Sequence, residues 1–342
     1  MLKSMKRRLS WALGVAIVCS SAFLGLSSSG ADAQERTKLV LAVSTRSAMN
    51  YFPVYIAIAE GYFADEELEV RVEPLSSSAE VLQVLAAGKA EIGSPGPGPQ
   101  LAARERGADI VAFYNYIPKN IFGLSVLAGS GITDISSLRN KKIGVNGTEG
   151  AVIGFIRSIA ADSGLREGVD FEFVDVGNPG NAVAGFTRGD IDAYGGAIAD
   201  FAVLTTRGLK ISEITPPKFQ AYFVNGWAAT AKYIEANPKV IAAFGRALIR
   251  GTEFGLKKEN RQRVLDVIGE VNPLEVEDMQ VAAALLEIMA DRLSPPERGW
   301  GHYDHAGWEA WQNVQIESGA LTGPLPHLDK AYTNAFVAEW NK

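Results

Sequence analysis

Two hydrophobic periods alternate along the chain. Short apolar runs, several with strict alternation, are typical of strands, and each is followed by a polar loop and a segment with helical periodicity. The predicted strands span residues 38–44, 68–72, 91–93, 109–114, 142–146, 171–176 and 192–196. Strand–loop–helix units in series predict an α/β fold in which mainly parallel sheets carry helices on both faces.

Helix signals accompany these strands. Pro53 can start a helix, because its missing N–H costs nothing in the first turn. After Ser94, residues 95–99 alternate proline and glycine, which predicts a rigid turn over 94–99 before a helix over 100–106. The C-terminal third is predicted to be helical, with one helix starting at Asn237-Pro238, one at Asn272-Pro273, one capped by Asp304 and a closing helix over 331–340.

The first 33 residues have the pattern of a secretory signal. Four basic residues precede an apolar stretch over 11–26, and Ala31-Asp32-Ala33 is a small-residue cleavage site. We expect cleavage after Ala33 and a periplasmic protein. The alternative is a retained anchor, but no stop-transfer pattern follows the apolar stretch.

The charge and cysteine content of the chain argue against several classes of function. The predicted signal holds four of the 33 basic and one of the 39 acidic residues, so residues 34–342 carry 29 basic and 38 acidic side chains and a net charge of −9. An acidic chain without basic runs argues against nucleic acid as a partner. The only cysteine, Cys19, leaves with the signal, so neither a disulfide nor a thiolate metal site is expected afterwards.

Polar residues stand at the predicted ends of the strands. In open parallel sheets, ligands bind outside these carboxyl ends, beside the amino ends of helices. The candidates there are Ser44, Thr45, Ser77, Ser94, Thr148, Glu149, Gly150, Asn178 and Asp200. The alternative for each is an ordinary turn or helix cap.

Aromatic side chains lie near the same strand ends. Tyr51, Phe52, Tyr116 and Trp227 are candidates for stacking on a planar ligand or forming an apolar floor. Core packing is the alternative for each of them.

Three segments resemble one family. Residues 50–63 (NYFPVYIAIAEGYF), 81–93 (VLQVLAAGKAEIG) and 134–145 (DISSLRNKKIGV) are similar to the nitrate/sulfonate/taurine and thiamine-precursor binding proteins. The resemblance implies the periplasmic-binding-protein type II fold. It adds Asn50 to the candidate ligand-binding residues.

The resemblance also implies the domain plan and the partners. Lobe one would comprise residues 34–118 and 226–342, and lobe two residues 119–225, with crossovers near 116–122 and 222–227. The protein would be a monomer that serves the permease and ATPase subunits of an ABC importer. Relatives that synthesise a pyrimidine use a cysteine-rich iron motif, which residues 34–342 lack.

His302, Asp304 and His305 form the one arrangement in the sequence that resembles a set of metal ligands. Two imidazoles and a carboxylate can hold zinc, but the flanking glycines favour a loop and a helix cap. The acidic groups at 65–67 and 275–278 are interpreted as solvated faces, with transporter docking as the alternative for an exposed patch of this kind.

These observations predict a binding protein, not an enzyme, that needs no cofactor. The favoured ligand is a small organic anion, with Arg46, Lys119 or Arg157 as counterion. The alternative is an uncharged or cationic aromatic, such as a pyrimidine, which suits the aromatic side chains and Glu149 or Asp200. A periplasmic enzyme on the same fold and a sensory module are the competing classes.

Overall fold

The computed structural model describes residues 36–147, 151–220, 222–317 and 319–342, which contain two five-stranded sheets. The first sheet consists of β1 (Thr37–Val43), β2 (Leu68–Pro74), β3 (Ile92–Ser94), β4 (Ile110–Asn115) and β10 (Gly226–Thr230). The second sheet consists of β5 (Phe122–Leu127), β6 (Lys141–Val145), β7 (Phe171–Asp175), β8 (Ala193–Ala197) and β9 (Ile211–Glu213). The predicted signal lies outside the described residues.

Fourteen α-helices are present in the described part of the chain. They are α1 (Phe52–Ala59), α2 (Tyr62–Asp65), α3 (Ser78–Ala86), α4 (Pro97–Glu105), α5 (Ala151–Asp162), α6 (Pro179–Arg188), α7 (Ile198–Thr206), α8 (Pro217–Gln220), α9 (Ala231–Ala236), α10 (Pro238–Leu256), α11 (Arg261–Val271), α12 (Met279–Arg292), α13 (His305–Glu317) and α14 (Val337–Trp340). Short 3-10 segments include Met49–Tyr51 and Pro273–Val276. Among these residues, no helix is long and apolar enough to cross a membrane.

The strand orders differ from the chain order. The first sheet runs β2-β1-β3-β10-β4, and the second runs β7-β6-β8-β5-β9. β1 pairs in parallel with β2 and β3, whereas β10 pairs antiparallel with both β3 and β4. A strand that the chain forms after the whole second sheet therefore lies inside the first sheet.

Alternate residues of the first sheet contribute to two hydrophobic cores. Leu41 and Phe113 belong to the core that α1 and α10 cover. Ala42 and Ala112 belong to the core that α3, α4 and α13 cover. Because both faces are buried, β1 and β4 are apolar almost throughout, as the continuous run over 38–44 indicated.

Two segments connect the sheets. The chain leaves the first sheet after Asn115, enters the second at Phe122, and returns between Glu213 and Gly226. The connecting segments are joined by a hydrogen bond of 2.9 Å from the Asn120 N–H to the Gln220 carbonyl. The lobe boundaries expected from the sequence stay a prediction.

Helix α12 contacts elements of both sheets. It packs on α7, and its Ile288 contacts the α1–α10 core as well as the core that α6 and α7 cover. Arg292, at the end of α12, is 7% exposed and donates to Glu213 of β9 at 2.9 Å. At the other end of α12, Asp278 lies 3.5 Å from Arg207, just beyond α7.

Three local predictions were wrong. Helix α4 begins at Pro97, inside the segment expected to be a rigid turn, because prolines in a first turn lose no hydrogen bond. Asn272-Pro273 starts only a short 3-10 segment, and Asp278 caps α12, its side chain accepting from the Gln280 and Val281 amides. The closing helix over 331–340 is reduced to α14 and a 3-10 segment at Leu328–Ala331.

Candidate functional site

Polar side chains converge where β1 and β3 end. The Tyr51 hydroxyl donates to Ser94 Oγ at 3.2 Å and lies 3.4 Å from Ser44 Oγ. Asn225, just before β10, donates from Nδ2 to Ser44 Oγ at 3.2 Å and to the Ser94 carbonyl at 3.0 Å. Four residues from three distant parts of the chain thus form one hydrogen-bonded group. We call Ser44, Tyr51, Ser94 and Asn225, together with Tyr116, which follows β4, the first-sheet edge.

The aromatic rings of this edge are packed together. The Tyr51 and Tyr116 rings are parallel, with centroids 5.6 Å apart, and Trp227 is tilted against both at 5.8 and 5.6 Å. Burial raises the pKa of Tyr51 and of Tyr116, so both hydroxyls are donors at neutral pH. Trp227 is fully buried, and its Nε1 has no hydrogen-bond partner among the described residues.

Asn50 and Phe52, which flank Tyr51 in the sequence, lie in different surroundings. Asn50 is half-buried, and its carbonyl accepts from the Tyr116 hydroxyl at 2.9 Å. Phe52 is fully buried against α10, where a side chain at Gly255 would collide with its ring. The structure therefore brings Asn50 to the first-sheet edge and places Phe52 in the hydrophobic core.

Thr45 and Ser77 make local contacts. Thr45 Oγ1 accepts from the Ser47 amide at 3.2 Å, and Ser77 Oγ caps α3 by accepting from the Glu80 amide at 3.2 Å. Both side chains are half-buried. These contacts match the turn and cap alternative given for the strand-end residues.

The second sheet contributes a different set of groups. Asn178 is exposed and caps α6, accepting from the Asn181 amide at 2.9 Å. Asp200 lies in the first turn of α7 and accepts from the Ala197 amide at 2.9 Å. Burial raises the pKa of Asp200. Thr148, Glu149 and Gly150 lie outside the described residues.

Glu275 takes a position that the sequence did not indicate. Its carboxylate accepts from the backbone amides of Ala48 at 2.8 Å and Met49 at 2.7 Å, and from Ser47 Oγ at 3.3 Å. The interpretation of residue 275 as part of a solvated face was wrong, because the side chain is held against the amides that precede α1. No local sequence pattern around Glu275 indicates that it contacts Met49, which lies 226 positions earlier in the chain.

The candidate counterions divide into two kinds. Lys119 pairs with Asp291 at 3.3 Å, and Arg157 pairs with Glu167 at 2.6 Å. Arg46 is exposed and has no ion-pair partner among the described residues. Of the three, only Arg46 offers an unpaired charge.

The motif considered for a metal does not form a compact cluster. His302 Nδ1 lies 3.9 Å from Asp304, and the His305 ring instead contacts the Tyr332 hydroxyl at 3.2 Å. No group of three or more potential metal ligands exists in the described ranges.

Comparisons with known proteins agree with this architecture. A 4-amino-5-hydroxymethyl-2-methylpyrimidine phosphate synthase of Candida albicans is 25% identical over 233 residues, 64% of this chain and 67% of that protein. The riboflavin-binding protein RibY of Chloroflexus aurantiacus is 25% identical over 312 residues, 88% of this chain and 86% of that protein.

The fold has counterparts among solved structures. The periplasmic aliphatic sulphonate binding protein SsuA of Escherichia coli matches with a TM-score of 0.63 at 14% identity, covering 86% of this chain and 91% of that one. The likeness confirms the periplasmic-binding-protein type II fold. Residues 48–261 match the family model described as NMT1/THI5 like, and since this is more than half of the chain, the chain belongs to that family.

Proposed function

We propose that the protein is an extracytoplasmic solute-binding protein of an ABC importer, and that it captures a small nitrogen heterocycle between its two sheets. The fold supports a carrier, because two sheets joined by two short connections can close on a ligand by hinge motion. A ligand that contacts both sheets binds the closed form more tightly and so drives closure.

The first-sheet edge carries the proposal for the ligand class. Its side chains are hydroxyls, one amide and aromatic rings, and none of them is charged. Its aromatic rings are buried, so the half-buried Ser44 and Asn225 are the groups of this edge that a ligand can reach. Uncharged hydrogen-bonding groups of this kind suit a flat molecule with hydrogen-bonding atoms at its rim.

Glu275 makes an anion less suitable. Backbone amides at the start of a helix attract anions, but here the protein's own carboxylate already accepts from Ala48 and Met49. A sulfonate or carboxylate would have to displace Glu275 or bind elsewhere. We therefore favour the aromatic alternative over the organic anion that the sequence suggested first.

The names of two relatives support this choice. One is a synthase of a pyrimidine phosphate, and the other binds riboflavin. Both names refer to nitrogen heterocycles. The second candidate, a sulfonate, is favoured by the unpaired Arg46 and by the name of the Escherichia coli protein.

Reversible binding without turnover is also part of the proposal. Several relatives are named as synthases, so the alternative is an enzyme. The chain contains no cysteine after position 19, and a thiolate-bound iron of the kind implied for such synthases has no ligands in residues 36–342.

Calorimetric titration tests the ligand class. The panel is 4-amino-5-hydroxymethyl-2-methylpyrimidine, riboflavin, taurine, methanesulfonate and nitrate. We expect one of the two heterocycles to bind, and to raise the melting temperature because it binds only the folded state. Recovery of the ligand by mass spectrometry after incubation should show it unchanged.

A matched pair of variants locates the site. Asn225→Ala should weaken binding roughly tenfold, the equivalent of one hydrogen bond of about 1.4 kcal/mol. Asn260→Ala removes a similar half-buried amide that donates to the Phe254 carbonyl and should leave the affinity unchanged. Binding of only the sulfonates, or conversion of the heterocycle, would refute the proposal.

A further inference from the structure

A cavity of about 700 Å³ lies beside the two segments that connect the sheets. Its volume falls in the range of sites that hold small organic molecules. Four parts of the chain surround it: the first connection after β4, the second connection, the turn after α12 and the start of α13. In the described part of the chain, its lining shares no residue with the first-sheet edge. We call this place the connection cavity.

Rigid apolar side chains line the connection cavity. Pro118, Tyr222 and Pro296 are half-buried and Pro295 is exposed, so a ligand that enters the cavity can touch them. The Tyr222 ring is held in place by Phe219, which stacks on it with a centroid distance of 6.0 Å. Proline rings have no rotamer freedom to lose when a ligand binds. These walls therefore suit a flat apolar body.

Two buried polar atoms at the cavity have no hydrogen-bond partner among the described residues. They are Oδ1 of Asn115 and Nδ1 of His302, and both residues belong to the lining. Asn115 is 7% exposed, and the His302 side chain is 12% exposed. The two residues are adjacent, because Asn115 Nδ2 donates to the His302 carbonyl at 3.0 Å. A buried polar atom without a partner costs free energy, which a bound group can recover.

These two atoms restrict the polar end of the ligand. A side-chain amide oxygen only accepts, so Asn115 requires a hydrogen-bond donor. His302 Nδ1 accepts or donates according to the tautomer of its ring, so it can adapt to either kind of group. A primary amide or an alcohol supplies the donor that Asn115 requires, whereas an ester does not.

The charged residues of the lining favour a neutral ligand. Each lysine, arginine and aspartate of the lining belongs to an ion pair. The pairs are Lys119–Asp291 at 3.3 Å, Arg298–Asp304 at 3.8 Å and Lys218–Asp162. Three cations are thus balanced by three carboxylates, and a charged ligand would leave one member of a pair without its partner.

We propose that the connection cavity is a second binding site, for a small neutral molecule with a flat apolar body and a hydrogen-bond donor at one end. A primary aromatic amide has this chemistry. The site is additional to the proposed capture of a heterocycle, because its occupant contacts both connections and not the first-sheet edge.

Three naphthalene probes with the same apolar body test the polar end. They are 2-naphthamide, which is neutral and has a donor, methyl 2-naphthoate, which is neutral without a donor, and 2-naphthoate, which is an anion. Each is titrated into the full chain by calorimetry. We expect 2-naphthamide to bind at least about tenfold more tightly than the other two, because only it satisfies Asn115 without disturbing the ion pairs.

A matched pair of tryptophan substitutions on α13 locates the probe. Ala306 is exposed and lines the cavity, so Ala306→Trp should fill it and weaken 2-naphthamide binding at least about tenfold. Asn313 is exposed on the same helix outside the lining, and Asn313→Trp should leave the affinity unchanged. In the unsubstituted chain, 2-naphthamide should shift the amide NMR resonances of Gly307 and Ala310 and leave that of Ser44 unchanged.

The second site is refuted if 2-naphthamide does not bind at millimolar concentration, if the three probes bind equally, or if binding persists in Ala306→Trp. Loss of heterocycle binding in that variant would place both ligands in one site and would equally refute a second one. Heterocycle binding without 2-naphthamide binding removes the connection cavity alone. Binding of 2-naphthamide by a chain that binds no heterocycle removes the proposed ligand class alone.

Discussion

The strand ends of the two sheets are formed by different types of residue. The first-sheet edge uses large side chains that hydrogen-bond to one another and are largely buried, such as Tyr51, Ser94 and Tyr116. At the second sheet, β8 ends in small residues, and Gly195 and Gly196 leave only backbone there, followed by the Asp200 carboxylate. The first edge is therefore preorganised by hydrogen-bonded side chains, whereas at the second, neighbouring side chains pack directly against the glycine backbone.

This difference indicates how each edge would respond to substitution. Side chains that are fixed by mutual hydrogen bonds hold their orientation before a ligand arrives, which lowers the cost of binding. At the second sheet, Ile156 fills the space beside Gly195, and Tyr194 and Asp200 fill the space beside Gly196, so neither position admits a larger residue. Substitutions should accordingly act by loss of hydrogen bonds at the first edge and by collision at the second.

The largest effect is expected at Gly195. A Cβ at this position would collide with Cδ1 of Ile156, a fully buried residue of α5. Gly195→Ala should lower the free energy of unfolding by about 2–3 kcal/mol, as overpacking of a core does. Urea denaturation measures the change.

The control lies on the same helix as Ile156. Gly154 on α5 is exposed, and nothing lies within 4 Å of an added Cβ. Gly154→Ala should raise the free energy of unfolding by up to about 1 kcal/mol, because alanine favours the helix. Equal changes in unfolding free energy for the two substitutions would show that the collision at β8 does not destabilise the fold.

A smaller effect is expected at the first edge. Tyr51→Phe keeps the ring but removes the donor to the fully buried Ser94. We expect a loss of about 1 kcal/mol in unfolding free energy, the net value of a typical hydrogen bond, together with weaker ligand binding in calorimetry.

Tyr62→Phe is the matched control for that variant. Tyr62 is half-buried, and its hydroxyl has no hydrogen-bond partner among the described residues, so the change should stay within about 0.5 kcal/mol. A similar loss in both variants would mean that the hydroxyl network does not stabilise the first-sheet edge.

The smallest effect concerns the carboxylate at the second edge. Burial raises the pKa of Asp200 above 3.8, so its protonated form is favoured in the fold. Protonated Asp200 therefore favours folding more than ionised Asp200 does. This advantage is fully present below the unfolded pKa of 3.8 and is lost as the pH rises through the higher folded pKa. Relative to wild type, Asp200→Asn should therefore gain stability from acidic to neutral pH. Urea denaturation across this range measures the difference, and a constant or opposite trend would contradict the assignment.

The sequence predicted the parts of the fold that local patterns encode. The alternating strand and helix signals predicted the α/β class. Ser44, Ser94 and Tyr51 were among the candidates drawn from both halves of the chain, but the sequence did not indicate that these three would be hydrogen-bonded to one another. Asn225 and Glu275 escaped prediction, because each acts on residues more than 100 positions away. An amide or a carboxylate in a loop has no local pattern that shows which distant backbone group it will meet.

The misplaced helix starts have a related cause. Asn272-Pro273 has the composition of a cap, yet Asp278 caps α12, since packing of the segment after α11 decides where the next helix can begin. Local propensity is a weak prior that tertiary contacts override.

The place of β10 inside the first sheet has a consequence for folding. β3 pairs directly with β1, but β4 joins the first sheet only through β10, a strand that starts at residue 226, so β4 has no neighbouring strand until the second sheet's residues have been made. A chain that stops before this strand should therefore remain unable to complete its amino-terminal half. Because the pairing joins distant residues, its closure is expected to be slow compared with helix formation.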